Sequence, residues 1–368
     1  MNIPDFAISY PDEETCRKKF KEQRDQMGVT CRHCNCKEHY WLENKQAYEC
    51  KRCHARQTLR SGTVMQHSNL PYRYRFVAMH LLTATKGSFS TAELQRQLGH
   101  KRYQPIWEMA NKLRDVMGKR DDEYMLEGAI KLNNAFCSTE ISLEDKEKQL
   151  KRGRGSQKKT KVPVMAGSKT VENPKAGKKV RCLKMKVISD LKFETITNNV
   201  KDRVENTADL TIDDLTSYTK LKEHVHSHTA SVIPNEELAN VLLWVHTAIS
   251  NAKRQLLGVY YKIKPKYLQY YLNRFCYKFN RRYFGEKQFE RLLIAAETYV
   301  PNFKSRIYVY FTLKVYRYFN PKVYHFKINS KLVFYFLEAP PKSRKRALLF
   351  SLLFSFSANH FSGLFHSV

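Results

Sequence analysis

The sequence contains few acidic residues and no long apolar run before residue 300. Its 35 Asp and Glu stand against 65 Lys and Arg, which gives the 368-residue chain a net charge of +30. The first residues lack the charged start and apolar stretch of a secretory signal, and no segment before residue 300 reaches the roughly 20 apolar residues of a membrane span. These absences argue against a secreted or membrane-spanning protein and against a near-neutral metabolic enzyme. We expect a polyanionic partner, nucleic acid ahead of a membrane surface, in a reducing cytosol.

Four of the nine cysteines form two CxxC pairs with fifteen residues between the pairs. The pairs are Cys31 with Cys34 and Cys50 with Cys53. A CxxC turn lets two thiolates reach one ion at tetrahedral angles, which is the arrangement of structural zinc sites. Short strands at 40–42 and 47–48 are predicted to join the pairs as a hairpin. We therefore predict a Zn²⁺ ribbon over residues 28–60, after an N-terminal segment 1–27. Such a small module depends on its metal for folding.

Two questions about this ribbon stay open at the level of sequence. Cys36 could replace Cys34 as a ligand, although Cys-x-Cys geometry is tighter and the two CxxC pairs are favoured. Basic residues around the second pair either face DNA phosphates or are merely solvated; they are Arg52, His54, Arg56 and Arg60. The four cysteines outside the ribbon segment are interpreted as packing residues; they are Cys16, Cys137, Cys182 and Cys276.

Apolar residues recur at helical spacing over residues 70–118 and predict three short helices. Ser90 and Glu93 form a capping box before the second helix, while Gly99 and Gly118 suit the ends of the second and third. Such a unit is similar to a helix-turn-helix, and the alternative is a connector bundle with a solvated basic face. In the DNA-binding interpretation the third helix presents five side chains to a groove or its phosphates: Lys101, Arg102, Gln104, Lys112 and Arg114.

Residues 126–300 mix predicted strands with helices, which is an α/β pattern. Strands are predicted at 129–136, 162–165, 183–188 and 208–212, and a helix at 191–204. The last strand runs directly into Asp213 and Asp214, so carboxylates stand where a strand ends. The glycine-containing basic run 151–161 is interpreted as a loop between the first two strands, in which Lys158 and Lys159 contact DNA phosphates.

Several long strings follow one another in an order that resembles a known group of proteins. They are LRSGTVMQHSNLPYRYRFVAMHLLTATKGSFSTAELQRQLG, LKRGRGSQKKTKV, DDLTSYTKLKEHV, WVHTAISNAKRQLLG and YLQYYLNRFCYKFNRRYFG. Through them the chain resembles insertion-sequence transposases of the zinc-ribbon, Merlin-related group (ISXO-type) over about residues 15–302. The resemblance implies an RNase H-like catalytic fold over 125–302 that holds two divalent ions, usually Mg²⁺, for end cleavage and strand transfer of DNA. It also implies a homo-oligomer in a transposition complex with element ends and target DNA, in the bacterial cytosol.

The same resemblance places catalytic roles on particular residues. Asp213 corresponds to the second acid, with its neighbour Asp214 as the weaker candidate. Asn251 corresponds to the third position and supplies a neutral carbonyl ligand, while Lys253 lies close to phosphate. Without the resemblance, Lys253 would be interpreted as an ordinary surface charge on a helix.

Two positions depart from the pattern of the group. The first acid is replaced by Asn133, with Asn134 beside it, so the pair contains no carboxylate. An amide still offers its carbonyl oxygen but carries no charge, and the attraction for a second dication falls. Arg274 stands where the group tends to have another acid. We predict a catalytically impaired transposase; the alternatives are an active enzyme with another first acid and a non-enzymatic DNA-binding regulator.

The C-terminal part of the chain, residues 303–368, no longer follows the family pattern. Tyr, Phe, Lys, Asn and Ile dominate it, and these are the residues of AT-rich codons. We hypothesise that the reading frame has slipped or run past its stop here. The apolar run 347–365 is interrupted by serines and is too weak for a membrane span.

Overall fold

A computed structural model describes residues 1–85, 87–141, 149–170, 178–213, 227–231, 243–260, 263–303, 323–328 and 331–336. The chain divides into two compact units, Met1–Ser305 and Arg306–Val368. The described part of the first unit is a mixed α/β structure. None of the helices in these ranges is both long and apolar enough to cross a membrane.

The N-terminal segment forms two helices, α1 (Ile3–Ser9) and α2 (Glu13–Met27). The next segment folds into three short antiparallel strands in the order β1-β2-β3, namely β1 (His39–Leu42), β2 (Ala47–Cys50) and β3 (Arg56–Thr58). The hairpin predicted from sequence corresponds to β1 and β2, in which Trp41 pairs with Tyr48. Tyr48 is buried, so this small sheet is anchored on the interior of the molecule.

Three helices follow, as predicted: α3 (Tyr72–Ala84), α4 (Thr91–Leu98) and α5 (Tyr103–Asp122). The Ser90 hydroxyl accepts a hydrogen bond from the Glu93 N–H (3.0 Å) and caps α4, which ends at Gly99 in the left-handed region (φ 62°). The prediction that α5 ends at Gly118 is wrong. A Cβ at Gly118 would overlap the Asn273 side chain, so this glycine permits close helix packing instead of ending the helix.

Five strands form the second sheet: β4 (Ala129–Ser138), β5 (Lys159–Thr170), β6 (Lys178–Met185), β7 (Asp209–Asp213) and β8 (Ser227–Ser231). Their order is β6-β5-β4-β7-β8. Strands β4, β5 and β6 are antiparallel neighbours, whereas β7 runs parallel to both β4 and β8. The mixed α/β pattern predicted for this region is confirmed, because helices lie between and after these strands.

Helices cover both faces of this sheet. Helix α6 (Phe193–Lys201) packs on the face that carries Ile130 and Leu132. Helices α7 (Leu243–Val259) and α8 (Pro265–Asn280) pack on the opposite face, which carries Ala135 and Cys137. Because successive side chains of a strand alternate between faces, Asn133 lies on the α7 side of β4.

The last helix of this unit, α9 (Lys287–Thr298), packs away from the five-stranded sheet. It shares one hydrophobic core with α1, α2, α3 and α5, to which it contributes Phe289 and Leu293. The Val64 N–H donates to the Ala296 carbonyl (2.8 Å) and ties the chain after β3 to this helix. A segment close to the C-terminal end of the unit therefore completes the core of its N-terminal part.

In the second unit, β9 (Val323–Ile328) pairs antiparallel with β10 (Lys331–Phe336). The remainder of residues 306–368 lies outside the described residues. The hypothesis of a slipped reading frame stays a prediction.

Candidate functional sites

The thiols of the two CxxC pairs converge on one point. The Sγ atoms of Cys31 and Cys53 are 3.6 Å apart, those of Cys34 and Cys50 are 3.5 Å apart, and all four lie within 4.8 Å of one another. Four sulfurs at Zn–S distances of about 2.3 Å on a tetrahedron are separated by roughly 3.8 Å. The cluster can therefore hold one metal ion of the size of Zn²⁺.

Both cysteine turns have the same backbone geometry. The first cysteine donates its N–H to the carbonyl five residues later, and the residue four positions later donates back to the cysteine carbonyl, with N–O distances of 2.8–3.0 Å. The equivalent residues are Cys31, Asn35 and Cys36 in one turn and Cys50, His54 and Ala55 in the other. The Cys36 thiol accepts from the Glu38 N–H (3.4 Å) and lies outside the four-thiol group. Cys36 thus occupies the position of Ala55, which needs only a backbone carbonyl.

Backbone N–H groups favour the charged form of two of these thiols. The N–H of Cys53 lowers the pKa of Cys50 to about 6, and the N–H of Cys34 lowers the pKa of Cys31. The thiolate is the form of cysteine that binds metals. The backbone thus favours the thiolate at the first cysteine of each pair, whereas burial and the neighbouring thiols raise the pKa values of Cys34 and Cys53.

The basic residues around the second cysteine pair differ in their surroundings. The Arg56 guanidinium pairs with Glu49, and Arg60 donates to the Ser68 carbonyl with its guanidinium 4.7 Å from the Tyr72 ring centre. Arg60 is half-buried and engaged within the protein, whereas Arg52, His54 and Arg56 are exposed, with Glu49 beside the last two.

The side chains predicted to form the DNA-facing surface of α5 divide into two groups. Lys101 and Arg102 are exposed immediately before the helix, and the half-buried Gln104 donates to Glu108 (3.1 Å). Lys112 is half buried and its Nζ donates to the Gln66 carbonyl (3.1 Å). The accessible positive charge is therefore at the N-terminal end of α5.

Arg114 corrects the sequence-based expectation, because its side chain is only 1% exposed. Its guanidinium donates to Asn111 Oδ1 (3.0 Å) and to the Tyr260 hydroxyl (3.2 Å), and it lies 4.5 Å from the ring centre of Tyr271. Its charge predicted a surface position, but Arg114 lies on the side of α5 that packs against α8. Arg114 is an interior residue and does not reach DNA in this structure.

The candidate catalytic residues Asn133 and Asp213 lie on adjacent parallel strands. Leu132 of β4 pairs with Ile212 of β7, and Asn133 and Asp213 are the next residues on the two strands. Asp213 is the last residue of β7, as expected from the sequence. Asp214 lies outside the described residues.

His246 of α7 also belongs to this site, although the sequence was not interpreted in that way. The Asn133 amide nitrogen is 3.5 Å from His246 Nε2, and the Asn133 Oδ1 accepts from the Asn134 N–H (2.6 Å). Both ends of the Asn133 amide are thus engaged. A histidine seven residues before Lys253, and so on the same helix face, was the signal that could have identified it.

The two family-derived positions on α7 face different ways. Lys253 lies near Cys137 of β4. Burial raises the pKa of Cys137 to about 11, and the positive charge of Lys253 opposes this rise. Asn251 is five residues after His246 and so lies about 140° round the helix from it. Its Oδ1 accepts from Arg254 (3.0 Å). The helix therefore directs His246 and Lys253, and not Asn251, to the side on which Asn133 lies.

Comparison with known proteins identifies this region. Residues 125–280 match the model of the ISXO2-like transposase domain. The match runs from the start of β4 to the end of α8 and contains Asn133, Asp213, His246, Asn251 and Lys253, whereas the cysteine cluster precedes it. The resemblance to insertion-sequence transposases is confirmed.

None of the curated protein sequences matches the chain. Among solved structures, it is similar to the crystal structure of a pre-cleavage Mos1 transpososome, with 12% sequence identity and a TM-score of 0.23. That alignment covers 64% of this chain and 82% of the other.

Arg274 of the transposase domain does not direct its charge at Asn133. Its side chain is 3% exposed and donates to the Ser88 hydroxyl (2.7 Å) and the Gly87 carbonyl (2.9 Å), in the loop between α3 and α4. Burial lowers the pKa of Arg274 to about 10. The residue links the transposase domain to the helical module that precedes it.

Lys158 and Lys159 are exposed where the chain enters β5 of the transposase domain. The Lys158 carbonyl accepts from the Thr139 N–H (2.9 Å), so this basic pair lies beside the end of β4. The preceding basic run contains a single turn of 3-10 helix at Gly153–Gly155. Both lysines are accessible to an anionic partner.

Proposed function

We propose that this protein is an insertion-sequence DNA transposase whose catalytic centre is impaired. The observation that carries the proposal is the position of Asn133 beside Asp213 on adjacent parallel strands of the ISXO2-like domain. A mixed sheet with three antiparallel strands followed by two parallel ones, and helices on both faces, supports an RNase H-like catalytic fold. In an active member of this group, the corresponding reactions are end cleavage and strand transfer of DNA.

The donor set at this site does not fit a pair of Mg²⁺ ions. Two-metal phosphoryl transfer uses ions roughly 3.5–4 Å apart, and hard dications are held mainly by carboxylates. Of the three proposed ligands Asn133, Asp213 and Asn251, only Asp213 carries negative charge. The Asn133 carbonyl oxygen already accepts from the Asn134 N–H, and His246 stands beside its amide nitrogen. We infer that divalent ions bind weakly here and that catalysis is lost or slow.

The DNA-binding part of the proposal rests on the N-terminal half of the chain. The four-thiol cluster fits Zn²⁺ in ligand type and spacing, and would stabilise the ribbon next to the helical module. Lys101 and Arg102 at the start of α5, with Lys158 and Lys159 at the start of β5, supply accessible positive charge. In this proposal the protein binds element ends and target DNA as a homo-oligomer in the bacterial cytosol.

The test is a nicking assay on a supercoiled plasmid that carries the gene with its flanking DNA, in Mg²⁺ and then in Mn²⁺. We expect the natural sequence to bind the plasmid and to leave it supercoiled. Asn133→Asp restores the missing carboxylate, and we expect nicking to rise at least tenfold. Arg274 should be left unchanged, because a carboxylate there would face the Gly87 carbonyl.

The control is Asp213→Asn in the Asn133→Asp background, which should abolish any nicking gained. Efficient nicking by the natural sequence would refute impairment and favour an active enzyme. If Asn133→Asp stays inert and the protein binds host sequences in preference to the flanking DNA, the regulator alternative would be favoured.

A further inference from the structure

A cavity of about 510 Å³ lies between the start of α5 and the segment that leads from α7 into α8. This volume is within the range of small-molecule sites, roughly 300–1,000 Å³. Aromatic side chains form much of its wall: Tyr103, Trp107, Tyr260, Tyr267 and Tyr271. Polar groups in the same wall include Gln104, Glu140 and Lys264. The cavity therefore combines flat aromatic surfaces with a largely polar lining.

The aromatic walls are held in place by contacts within the protein. Trp107 packs edge-on against Tyr267 with ring centres 4.9 Å apart, and the ring centres of Tyr260 and Tyr271 are 4.3 Å apart. The Tyr260 hydroxyl donates to the Phe89 carbonyl (2.9 Å). A flat ligand would therefore enter a site that is already formed, which reduces the entropy lost on binding.

Protein cations already contact three of these rings. The Arg114 guanidinium is 4.5 Å from the Tyr271 ring centre and 5.6 Å from that of Tyr260, while Lys266 Nζ is 4.9 Å from that of Tyr267. Lys264 adds another positive charge to the wall. An organic cation would meet rings whose cation-binding capacity is in use, next to like charges. A nucleobase attached to a phosphate backbone meets stacking surfaces in a positive environment.

The cavity also lies between two accessible basic segments. Tyr103 and Gln104 directly follow Lys101 and Arg102 in the chain. On the opposite wall, the Glu140 N–H donates to the Ile263 carbonyl (2.8 Å), and the residue before it, Thr139, pairs through its N–H with the Lys158 carbonyl (2.9 Å). Accessible basic residues are therefore adjacent in the chain or by hydrogen bonding to two parts of the cavity wall.

We propose that this cavity receives one unstacked nucleobase of the DNA bound to the protein. Tyr103 is 45% exposed and would stack on the base at the entrance, while Gln104 and Glu140 would hydrogen-bond to its edge. The proposal rests on DNA binding as part of the proposed function. It goes beyond that function because it assigns a site for a base that has left the duplex.

The test compares binding of the full-length, zinc-loaded protein to two labelled duplexes, measured by fluorescence anisotropy. The duplexes have the same sequence, but one contains a single unpaired thymidine. We expect the unpaired thymidine to tighten binding about tenfold, in the range of base-aromatic stacking. Tyr103→Ala should remove this preference and keep the affinity for the paired duplex, whereas Tyr103→Phe should retain both.

Tyr124→Ala is the matched control, since Tyr124 is 47% exposed near the other end of α5 and does not line this cavity. It should keep the preference. Equal affinity of the natural sequence for the two duplexes would overturn the cavity proposal while leaving DNA binding intact. Absence of binding to either duplex would overturn the DNA-binding function and this proposal with it.

A second measurement does not depend on variants. A 5-iodouridine replaces the unpaired thymidine, the complex is irradiated, and the crosslinked residue is identified by mass spectrometry. Crosslinks to Tyr103 or Trp107 support the proposal, and crosslinks confined to residues outside the cavity overturn it. Loss of the duplex preference on addition of tetramethylammonium, without such crosslinks, would instead assign the cavity to an organic cation.

Discussion

The cysteine cluster and the Asn133–Asp213 site on the five-stranded sheet differ in how their ligands relate to the fold. At the cluster, four thiols converge within 4.8 Å, and both turns repeat one set of backbone hydrogen bonds. On the sheet, Asp213 and Asn133 follow paired residues of the adjacent strands β7 and β4, and Asn133 stands where the family resemblance implies an acid. Asn133 nevertheless pairs with Val164 in the antiparallel ladder, as any residue of a strand would. Loss of a cysteine ligand removes folding free energy, whereas replacement of a carboxylate by an amide leaves the sheet intact.

The largest effect is expected at the cluster itself. Cys50→Ser should reduce bound zinc from about one per chain to near zero and destabilise the first unit by about 3 kcal/mol or more, because metal binding supplies folding free energy. The loss should extend past the ribbon, since Tyr48 belongs to the main hydrophobic core. Elemental analysis and thermal unfolding measure the two effects.

Cys36→Ser is the matched control for this change. Cys36 lies in the same segment but outside the four-thiol group, so zinc content and unfolding temperature should stay close to those of the natural sequence. Equal zinc loss in Cys50→Ser and Cys36→Ser would show that the ligand assignment is wrong. The contrast between the cysteine cluster and the Asn133–Asp213 site would then no longer hold.

A smaller effect is expected beneath the ribbon, at Glu297 of α9. Burial raises the pKa of this carboxyl to about 9, against the effect of Arg24 and Lys19, and neither oxygen has a hydrogen-bond partner among the described residues. A raised carboxyl pKa favours folding most below its ordinary value of about 4.5, and this contribution declines as the pH rises towards 9. The expected loss is about 1.4 kcal/mol per pH unit within that window.

Glu297→Gln should remove this slope, because glutamine does not ionise. Denaturant unfolding between pH 6 and 8 measures it, and Glu290→Gln, an exposed site on the same helix, serves as the control and should retain the slope. If the natural sequence and Glu297→Gln show the same pH dependence of unfolding, Glu297 does not have the raised pKa on which this prediction depends.

The smallest expected effect concerns the contact between the helical module and the transposase domain. Gly118→Ala should destabilise the protein by about 1 kcal/mol, because the added methyl group displaces the Asn273 side chain of α8, whose Oδ1 accepts from Gln269 (2.7 Å). Gly258→Ala in α7 is the control: its Cβ meets nothing within 4 Å, and alanine should stabilise that helix by up to about 1 kcal/mol. Thermal unfolding of both variants compares them. A neutral Gly118→Ala would mean that the two regions are not tightly joined here.

The local elements of this protein were largely predictable from sequence. The capping box at Ser90, the left-handed Gly99 and the hairpin between the CxxC pairs all follow from interactions over a few residues. The end of β7 at Asp213 was predicted in the same way. The family of the central domain was recognisable because long strings of residues are retained, and the family match bears this out.

Other features could not be predicted because they depend on residues far apart in the chain. Arg114 was expected at a DNA surface, but Tyr260 and Tyr271 enclose its guanidinium. Gly118 was expected to end a helix, although its role is set by Asn273. The contact of His246 with Asn133 joins α7 to β4 across 113 positions.

By itself, the sequence determined the two CxxC pairs, the order of the elements and the absence of a carboxylate at Asn133. Spacing and residue type are local properties, and metal-ligand chemistry depends on them directly. Only the tertiary structure decided that Cys36 takes the place of Ala55 and not of a ligand, that Arg114 is buried, and that an aromatic cavity opens beside Tyr103. Those outcomes follow from which faces of α5, α7 and α8 pack together, and a helix face acquires its neighbours only when the chain is folded.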